Sequence, residues 1–323
     1  MPEKNLRIGV LTSGGDAPGM NAAIRAVVRT AAGLGIRTYG IRTGYEGLFK
    51  GDIDEIDHSD VSGIIYMGGT ILRTARCAEM MTEAGQRRAA EVIKVLRLDG
   101  VIVIGGDGSF NGALALSKLG VKVMAIPATI DMDMEFTEYS IGFDTAVNAA
   151  AEAIIRIRDT SSSHERCSVV EVMGRDSGQL ALWCGLTGGA EEVLIPEHPL
   201  NTDSVIEQIL HNRAQGKHHN LIVVAEGVGG SDVLAKEIER VLGIEARATV
   251  LGHLQRGGTP TALDRMHATL MGHMAVKGIS EGELNKAVAY RDGRHVLVSL
   301  EEALVAKRKY SHELYEITKL LAI

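Results

Sequence analysis

Three aspartates stand where two apolar segments end, and their positions suggest shared chemistry. The run Val101–Ile104 is followed by the residues Gly-Gly-Asp107-Gly-Ser. The run Val121–Ile126 leads shortly to Asp131 and Asp133. In an open α/β sheet, ligands bind in the crevice outside the carboxyl ends of the strands. Carboxylates at neighbouring strand ends therefore predict a site for a metal ion, a phosphate group or an acid–base reaction.

A glycine-rich loop near the start of the chain predicts an anion site. The segment Gly14–Gly19 separates an apolar strand from an alanine-rich helix, and backbone N–H groups at a helix N-terminus bind anions. Met20 and Asn21 replace the Lys-Ser/Thr pair of a Walker loop, and the GxGxxG dinucleotide pattern is absent. Taken alone, the segment is equally well explained as a turn that packs a helix on a strand.

A second glycine loop, Gly105–Ser109, repeats this pattern with an acid inside it. Glycines let the backbone approach a phosphate closely, and Ser109 is placed to cap the next helix. Asp107 is suited to hold Mg²⁺ directly or through water. The two loops, together with Asp131 and Asp133, favour a nucleoside triphosphate site.

The elements that must position these residues alternate between strands and helices. In the first half, strands are predicted at Leu6–Leu11, Ile36–Ile41, Val101–Ile104 and Val121–Ile126, and helices at Gly19–Gly33, Thr82–Leu96 and Gly112–Leu119. In the second half, strands are predicted at Cys167–Met173, Glu192–Ile195, Leu221–Ala225 and Ala248–Leu251, and helices at Ala146–Arg158, Asp176–Leu186, Thr202–Gln215 and Ser231–Leu242. Asp52–Asp60 is expected to be irregular and the last fifth mostly helical, with one short strand at Val296–Ser299. This alternation predicts an α/β fold with parallel sheets, as two lobes that meet at a cleft.

Composition and charge restrict the class of protein. The 323 residues are 45% hydrophobic and 23% charged, which is an ordinary globular balance. A net charge of −7 argues against binding to nucleic acid through a general basic surface. Cys77, Cys167 and Cys184 form no CxxC pair, and the start of the chain lacks the apolar stretch of a signal peptide. No segment approaches the ~20 apolar residues of a membrane span, so we expect no nucleic-acid partner, no membrane association and a cytoplasmic location.

Five motifs occur in a characteristic order along the chain. They are Leu11–Asn21 (LTSGGDAPGMN), Gly105–Ser109 (GGDGS), Pro127–Asp131 (PATID), Met173–Arg175 (MGR) and His253–Gly258 (HLQRGG). Together they resemble the ATP-dependent 6-phosphofructokinase family of the bacterial type, over nearly the whole chain. The resemblance implies two Rossmann-like lobes with mainly parallel sheets and an active site in the cleft between them. It assigns nucleotide binding to residues 1–141 plus about 254–304, and sugar-phosphate binding to residues 142–253 plus about 305–323.

The resemblance implies phosphoryl transfer from ATP to the 1-hydroxyl of fructose 6-phosphate. Asp131 would be the general base, and Thr129 would steady the transferring group. Asp107 would place Mg²⁺, while the Gly15 amide and Arg76 would stabilise charge on the γ-phosphoryl group. The implied ATP site consists of Gly15, Arg76, Cys77, Gly106, Asp107, Gly108 and Ser109.

The sugar phosphate needs planar donors, because guanidinium groups recognise phosphate bidentately. The resemblance gives Arg175 a catalytic role in addition to a place in this site. The implied sugar-phosphate site consists of Thr129, Ile130, Asp131, Arg166, Met173, Gly174, Arg175, Glu226, Arg247, His253 and Arg256. In the family, the equivalents of Arg166 and Arg247 reach in from a neighbouring subunit, so the resemblance implies an oligomer, typically a homotetramer.

Two positions bear on the phosphoryl donor. Family members that use pyrophosphate resemble GGDD at the second glycine loop and have Lys before Thr-Ile-Asp, whereas this chain has Gly108 and Ala128. Glycine leaves room for the α-phosphate of ATP, so ATP is the expected donor. The alternatives are pyrophosphate as donor, another acceptor such as tagatose 6-phosphate or sedoheptulose 7-phosphate, and a weakly active regulatory paralogue.

The chain departs from the family pattern in two places. Met132 stands where Asn is usual after Thr-Ile-Asp, and Asn side chains commonly close turns, so we expect activity with altered kinetics. The family's effector site for ADP or phosphoenolpyruvate is matched by Arg25, Arg29, Arg158, Lys217 and, for the effector's metal, Glu191. Asp52 stands where an arginine is usual and Gln215 replaces a lysine, so we expect weakened or altered allosteric control.

Overall fold

A computed structural model describes residues 6–305 and 310–322. The strands are β1 (Arg7–Ser13), β2 (Arg37–Ile41), β3 (Ile53–Ile56), β4 (Gly100–Gly105), β5 (Val123–Pro127), β6 (Cys167–Val172), β7 (Glu192–Leu194), β8 (Asn220–Ala225), β9 (Ala246–Val250), β10 (Lys286–Arg291) and β11 (Arg294–Ser299). The helices are α1 (Met20–Gly33), α2 (Tyr45–Lys50), α3 (Glu83–Val95), α4 (Asp107–Lys118), α5 (Phe143–Ser163), α6 (Gln179–Gly188), α7 (Thr202–Ala214), α8 (Ser231–Leu242), α9 (Ala262–Glu281), α10 (Leu300–Ala303) and α11 (His312–Leu320). Strands and helices alternate over most of the chain, which confirms the predicted α/β class.

The described residues divide into two compact units. The first unit contains residues 6–130, 134–144 and 256–305, and the second contains residues 131–133, 145–255 and 310–322. The chain therefore passes from one unit to the other several times, and one short excursion consists only of Asp131–Asp133. The change of lobe predicted near residue 305 borders residues 306–309, which lie outside the described residues.

The first unit is built on a seven-stranded sheet in the order β11-β10-β5-β4-β1-β2-β3. Strands β10, β5, β4, β1 and β2 run parallel, while β3 and β11 are antiparallel edge strands. The central strands β1, β4 and β5 are mostly apolar, because both faces of the sheet are covered. On one face α1 packs closely on α9, where a Cβ on Gly272 would lie 2.7 Å from Ala26 Cβ. On the other face lies a core that includes Phe110 and Leu116.

The strand register of this sheet brings three loops to one edge. Ser13 at the end of β1 pairs with Gly105 at the end of β4, and Gly105 pairs with Pro127 at the end of β5. The carboxyl ends of three neighbouring strands are therefore level. Since β4 and β5 are adjacent, the prediction that Asp107 and the segment leading to Asp131 and Asp133 follow neighbouring strands is confirmed.

The second unit is built on a four-stranded parallel sheet in the order β7-β8-β6-β9. Its core consists of strand residues such as Val169, Ile222 and Val224 together with Leu234 and Ile238 of α8. All of them are almost completely buried, as expected for parallel strands covered by helices on both faces.

Several predicted boundaries differ from the observed elements for identifiable reasons. The predicted irregular stretch Asp52–Asp60 contains β3, a short edge strand whose charged residues hide its apolar pattern. Lys286–Arg291 lies in the last fifth, which was expected to be mostly helical, and forms β10 in a hairpin with β11. Tyr45–Lys50 forms the unpredicted helix α2, a helix of 6 residues. It is too short to show helical periodicity.

Helix α4 begins at Asp107 and not at Gly112 as predicted. Glycines at 108 and 112 disfavour a helix, but Gly112 is required where it stands, because a Cβ there would lie 2.7 Å from the Tyr45 ring. Ser109 therefore lies inside the first turn of α4, and the expected capping role of Ser109 is wrong, because Gly106 is the N-cap residue.

Candidate active site

The first glycine loop connects β1 to α1 through two left-handed glycines. Gly14 has φ 87° and Gly19, the N-cap of α1, has φ 105°. A Cβ on Gly19 would lie 2.6 Å from Ile141 Cγ2, so only glycine fits both the conformation and the space. The N–H groups at the start of α1 are thus presented by a loop that tolerates little change.

The second glycine loop lies directly beside the first. A Cβ on Gly105 would lie 2.4 Å from the Ser13 carbonyl oxygen, and a Cβ on Gly14 would lie 3.4 Å from Ser109 Oγ. Ser109 is buried, and its hydroxyl has no hydrogen-bond partner among the described residues. A buried hydroxyl without a protein partner, beside two glycine loops and a helix N-terminus, fits a phosphate oxygen.

Arg256 lies over the first loop. Its Nη1 donates to the Asp16 carbonyl oxygen at 2.9 Å, and a Cβ on Gly15 would lie 2.6 Å from the same nitrogen. The structure therefore places this arginine, predicted to bind the sugar phosphate, against the predicted phosphate loop of the first unit. Thr74 also ties to the loop, since its hydroxyl donates to the Gly14 carbonyl oxygen at 2.6 Å. Thr74 and its link to the loop were missed in the sequence.

Arg76 and Cys77 follow Thr74 in a segment without regular structure. Arg76 is exposed, and Cys77 is half-buried against the core of the first unit. Asp107, at the first position of α4, is half-buried, and among the described residues its carboxylate has no hydrogen-bond or ion-pair partner. Gly108 is exposed, and a Cβ there would meet nothing within 4 Å.

Thr129 lies beside the second loop at the end of β5. A Cβ on Gly106 would lie 3.3 Å from Thr129 Cβ, and the Thr129 N–H donates to Ser140 Oγ at 2.8 Å. The Ala128 N–H donates to the Gly105 carbonyl oxygen at 3.0 Å. Ile130 is fully buried. The predicted residues Gly15, Gly106, Asp107, Ser109 and Thr129 are therefore gathered at one edge of one sheet.

Asp264 supports the same edge and was missed in the sequence. It is fully buried, and its Oδ1 accepts hydrogen bonds from the Tyr139 hydroxyl and the Gly142 N–H, both at 2.7 Å. A Cβ on Gly19 would lie 3.6 Å from Asp264 Cβ, so this carboxylate residue lies behind the start of α1. The available signal was Thr261-x-x-Asp264, a helix-capping pattern, and Thr261 does cap α9.

In the second unit, Asp131 is 2% exposed and faces Arg175. The distance from Arg175 Nε to Asp131 Oδ2 is 3.4 Å. Both Met132, next to this aspartate, and Arg175 have left-handed backbones, with φ 51° and φ 53°. Left-handed conformations of non-glycine residues are uncommon and cluster at functional sites.

The Met173–Arg175 turn is held by two side chains. Glu226 Oε1 accepts from the Gly174 N–H at 3.1 Å and from the Arg175 N–H at 2.7 Å. Gln255 Oε1 accepts from the Met173 N–H at 3.2 Å. Gln255 is fully buried inside the HLQRGG motif, and its supporting role was not predicted. Glu226 therefore positions the backbone of this turn. His253, two residues before Gln255, is exposed.

Arg166 and Arg247 lie at the opposite end of the same sheet. Arg166 precedes β6 and Arg247 is the second residue of β9, whereas Met173 follows β6 directly. At about 3.3 Å per residue, Arg166 and Met173 are separated by ~20 Å. Within the second unit the predicted sugar-phosphate residues therefore form two groups that cannot touch one small ligand.

The predicted effector residues are divided between the two units. Arg25 and Arg29 lie one turn apart on α1. In the second unit, Arg158 donates to the Gly188 carbonyl oxygen at 2.7 Å, and Lys217 Nζ lies 2.7 Å from Glu191 Oε1. The other Glu191 oxygen accepts from the Leu221 N–H, so both oxygens of the predicted metal ligand are engaged.

Asp52 lies beside a second aspartate and an arginine. Arg42 Nη1 lies 3.2 Å from Asp52 Oδ1 and also pairs with Asp54. Gln215 is exposed after α7. With one arginine and two aspartates, this cluster stays negative and does not replace the positive charge of the arginine that is usual at position 52.

Two of the three cysteines are too deeply buried to react as thiolates. It raises the pKa of the Cys167 and Cys184 thiols to about 12, so neither forms a thiolate near neutral pH. All three cysteines are free. Among residues 6–305 and 310–322, no helix has the length and apolar character needed to cross a membrane.

Comparisons with known proteins identify the family of the chain. The phosphofructokinase family model matches residues 7–279. An ATP-dependent 6-phosphofructokinase of Clostridium botulinum is 53% identical over 315 residues, covering 98% of this chain and 99% of that protein. One of Clostridium novyi is 54% identical over 315 residues, with 98% and 99% coverage.

Solved structures show the same fold. Phosphofructokinase of Pichia pastoris has a TM-score of 0.89 and 34% identity, over 94% of this chain and 36% of that chain. The chain thus spans little more than a third of the yeast protein. A pyrophosphate-dependent phosphofructokinase of Marinobacter aquaeolei has a TM-score of 0.85 and 22% identity, over 98% of this chain and 91% of that one, a likeness of fold alone. The full-length sequence matches and the family model lead to one conclusion: the chain belongs to the phosphofructokinase family.

Proposed function

We propose that the chain is an ATP-dependent 6-phosphofructokinase, which transfers the γ-phosphoryl group of ATP to the 1-hydroxyl of D-fructose 6-phosphate. The products are fructose 1,6-bisphosphate and ADP. The observation that carries this proposal is the buried Asp131 carboxylate, 3.4 Å from Arg175 and two residues after Thr129 at the phosphate-loop edge. The 53% identical relative named ATP-dependent 6-phosphofructokinase supports it.

In this mechanism Asp131 accepts the proton of the 1-hydroxyl as it attacks phosphorus. A positioned general base typically contributes ~10²–10⁴-fold to the rate. Arg175 orients Asp131 through their ion pair. The Gly15 amide, Arg76 and Thr129 stabilise charge on the transferring group, which is the main task of a phosphoryl-transfer enzyme.

The residues present fit a magnesium ion bound with ATP. Among the described residues, no group of three or more His, Cys, Asp or Glu side chains is placed to hold a metal by itself. Magnesium, however, usually takes one or two carboxylates and completes its shell with water and substrate phosphates. The half-buried Asp107, whose carboxylate makes no ion pair among residues 6–305 and 310–322, is the ligand we propose. Magnesium would neutralise charge on the phosphate oxygens.

The first unit is proposed to hold ATP and the second the sugar phosphate. ATP is favoured over pyrophosphate because Gly108 is open, with nothing within 4 Å of a Cβ there, so an aspartate at this position would project into space that the nucleotide needs. The ATP residues are Gly15, Arg76, Cys77, Gly106, Asp107, Gly108 and Ser109. Ser109 Oγ, buried without a protein partner among the described residues, is a ready donor to phosphate.

The sugar-phosphate site is proposed to be shared between copies of the chain. Asp131, Met173, Arg175 and Glu226 cluster at the carboxyl end of one sheet, whereas Arg166 and Arg247 lie ~20 Å away at its amino end. A complete site then requires the amino-end arginines of a neighbouring copy, and a homotetramer supplies such pairs by symmetry. Three free cysteines are in keeping with a cytoplasmic enzyme.

Allosteric control is proposed to be weak. Lys217 is engaged by Glu191 at 2.7 Å, and Gln215 supplies no charge next to it. Initial rates against fructose 6-phosphate, with and without ADP or phosphoenolpyruvate, measure this directly. A large shift of the saturation curve by either effector would refute it.

A coupled assay of donors and acceptors tests the proposed function. ATP and pyrophosphate are compared with fructose 6-phosphate, tagatose 6-phosphate and sedoheptulose 7-phosphate, for the wild type, Asp131→Asn and the surface control Asp232→Asn. We expect the ATP and fructose 6-phosphate pair to be fastest. Asp131→Asn should lower kcat by ~10²–10⁴-fold, while Asp232→Asn leaves it unchanged. Preference for pyrophosphate, or full activity of Asp131→Asn, would reject the proposal.

A further inference from the structure

Glu245 joins the two arginines at the amino end of the second unit's sheet. Arg166 Nε lies 2.5 Å from Glu245 Oε2, and Arg247 Nη2 lies 2.8 Å from Glu245 Oε1. Arg247 Nε also donates to Oε1 at 2.9 Å. Each carboxylate oxygen therefore engages a different arginine. Neither the sequence motifs nor the family resemblance assigns a role to this residue.

The backbone fixes this arrangement. Strands β6 and β9 are parallel with Cys167 opposite Ala246, so Arg166 and Glu245 are neighbours across the strand pair. The Cys167 N–H donates to the Glu245 carbonyl oxygen at 3.0 Å. Residues two apart along a strand lie on the same face, which places Glu245 and Arg247 side by side. The cluster therefore follows from the sheet register.

The contacts leave most arginine donors available. Glu245 takes the Nε–H of Arg166, and the Nε–H and one Nη of Arg247. A guanidinium carries further N–H donors on its terminal nitrogens, and among the described residues those of Arg166 and Nη1 of Arg247 make no other hydrogen bond. The carboxylate thus binds Arg166 through Nε and Arg247 through Nε and Nη2. The remaining terminal N–H donors of both guanidinium groups can bind an anion.

The net charge of the cluster favours an anion. Two guanidinium groups held close together repel each other, and the carboxylate between them offsets that repulsion. Hydrogen bonding from Arg247, then from Arg166, lowers the pKa of Glu245, so the carboxylate stays ionised. The cluster keeps one net positive charge, which suits a phosphate group.

We propose that Glu245 is a positioning residue for sugar-phosphate recognition, which holds Arg166 and Arg247 as one paired receptor for the phosphate group. The inference rests on the proposed function, since it takes these arginines to bind fructose 6-phosphate. A role in folding stability alone is disfavoured, because Arg247 is 71% exposed and exposed ion pairs contribute little to stability. The opposite role, in which Glu245 competes with phosphate for the arginines, predicts the opposite change in affinity.

The test compares Glu245→Gln with the matched control Glu237→Gln. Glu237 pairs with Arg240 at 2.5 Å on the neighbouring helix α8 and has similar exposure. We expect Glu245→Gln to raise KM for fructose 6-phosphate by about threefold to tenfold, because one charge-assisted clamp is lost. Its kcat, KM for ATP, oligomeric state and Tm should match the wild type. Glu245→Asp, which keeps the charge on a shorter stem, should give an intermediate KM.

Several outcomes would overturn the inference. An unchanged KM of Glu245→Gln for fructose 6-phosphate would show that Glu245 has no positioning role. A lowered KM would show that Glu245 competes with the phosphate group. A parallel loss of ATP affinity or a lower Tm would show that its role is structural. Calorimetric titration with fructose 6-phosphate provides a readout without turnover, in which Glu245→Gln should bind about threefold to tenfold more weakly. If the wild type binds fructose 6-phosphate but transfers no phosphoryl group, the proposed function is rejected. The calorimetric comparison of the wild type with Glu245→Gln still tests the role of Glu245.

Discussion

Met132 lies between Asp131 and Asp133, in the short segment that belongs to the second unit. Its side chain is buried and its backbone conformation is unfavourable. It is 7% exposed and has φ 51°. Asn adopts this region far more readily than Met, because its short polar side chain forms local hydrogen bonds. The left-handed backbone therefore explains why Asn is usual at position 132 in the family pattern. The methionine keeps the same backbone at a cost of roughly 1–2 kcal/mol.

Replacing Met132 by Asn therefore has two opposing effects on stability. It relieves backbone strain but loses burial of an apolar side chain, worth about 1.5–3 kcal/mol. Met134 is 4% exposed and has no left-handed backbone, so Met134→Asn loses burial alone. We expect Met132→Asn to be less destabilising than Met134→Asn by ~1 kcal/mol in urea denaturation. Equal losses would show that the φ of Met132 carries no strain.

At the scale of elements, the start of α1 depends on Gly19. Its φ of 105° and a Cβ contact of 2.6 Å with Ile141 exclude a side chain. Gly19→Ala should cost about 1 kcal/mol or more and raise KM for ATP, because the loop that presents the α1 N–H groups is displaced. Gly33 is the last residue of the same helix, and a Cβ there would meet nothing within 4 Å. Gly33→Ala should therefore leave KM for ATP unchanged and stability unchanged or slightly higher. KM for ATP and Tm are the measurements, and an unaffected Gly19→Ala would exclude this loop from the ATP site.

Helix α9 and the β10–β11 hairpin are joined by a buried histidine. His267 stacks on Tyr139 at 3.8 Å between ring centres and shares a 3.1 Å hydrogen bond with His295. Burial, together with His295, lowers the pKa of His267 to about 4, against the attraction of Asp144. Since the folded pKa is below the unfolded value near 6.5, the unfolded chain takes the proton first as pH falls. The stability contributed by neutral His267 is intact above about pH 6.5 and is lost toward about pH 4.

His267→Phe should therefore flatten the fall of Tm between about pH 6.5 and pH 4 relative to the wild type. The ring still stacks on Tyr139 but no longer takes a proton. The exposed His211 on α7 provides the control, and His211→Phe should keep the wild-type slope. Parallel curves for all three proteins would show that His267 contributes no pH dependence.

The elements also show what a sequence can and cannot predict. The apolar runs before Gly105 and Thr129 predicted adjacent strand ends, because buried parallel strands are continuous in hydrophobicity. Strand β10 was missed because its pairing with β5 is not local, although its hairpin with β11 is. Helix α2 was missed because its 6 residues are too few to show helical periodicity. The positions of Arg256 over Gly15 and of Glu245 between two arginines depend on tertiary contacts that no motif spacing encodes.

At the scale of the whole molecule, the two ends of the second unit's sheet carry different residues of the proposed site. The carboxyl end carries Met173, Arg175 and Glu226, with Asp131 against Arg175. The amino end carries Arg166 and Arg247, clamped by Glu245. A single copy cannot bring both ends to one sugar phosphate, because they are separated by ~20 Å. We therefore expect a working site to take Asp131 from one copy and Arg166 from another.

Complementation between inactive variants tests this claim most directly. Asp131→Asn and Arg166→Ala are co-expressed in equal amounts and assayed at limiting fructose 6-phosphate. Random pairing of chains rebuilds about one quarter of the sites with both residues intact, so about a quarter of wild-type activity should return. The control pair, Asp131→Asn with Arg175→Ala, changes the same end of the sheet and should recover nothing. Activity of the first pair no greater than that of the control pair would contradict the shared site.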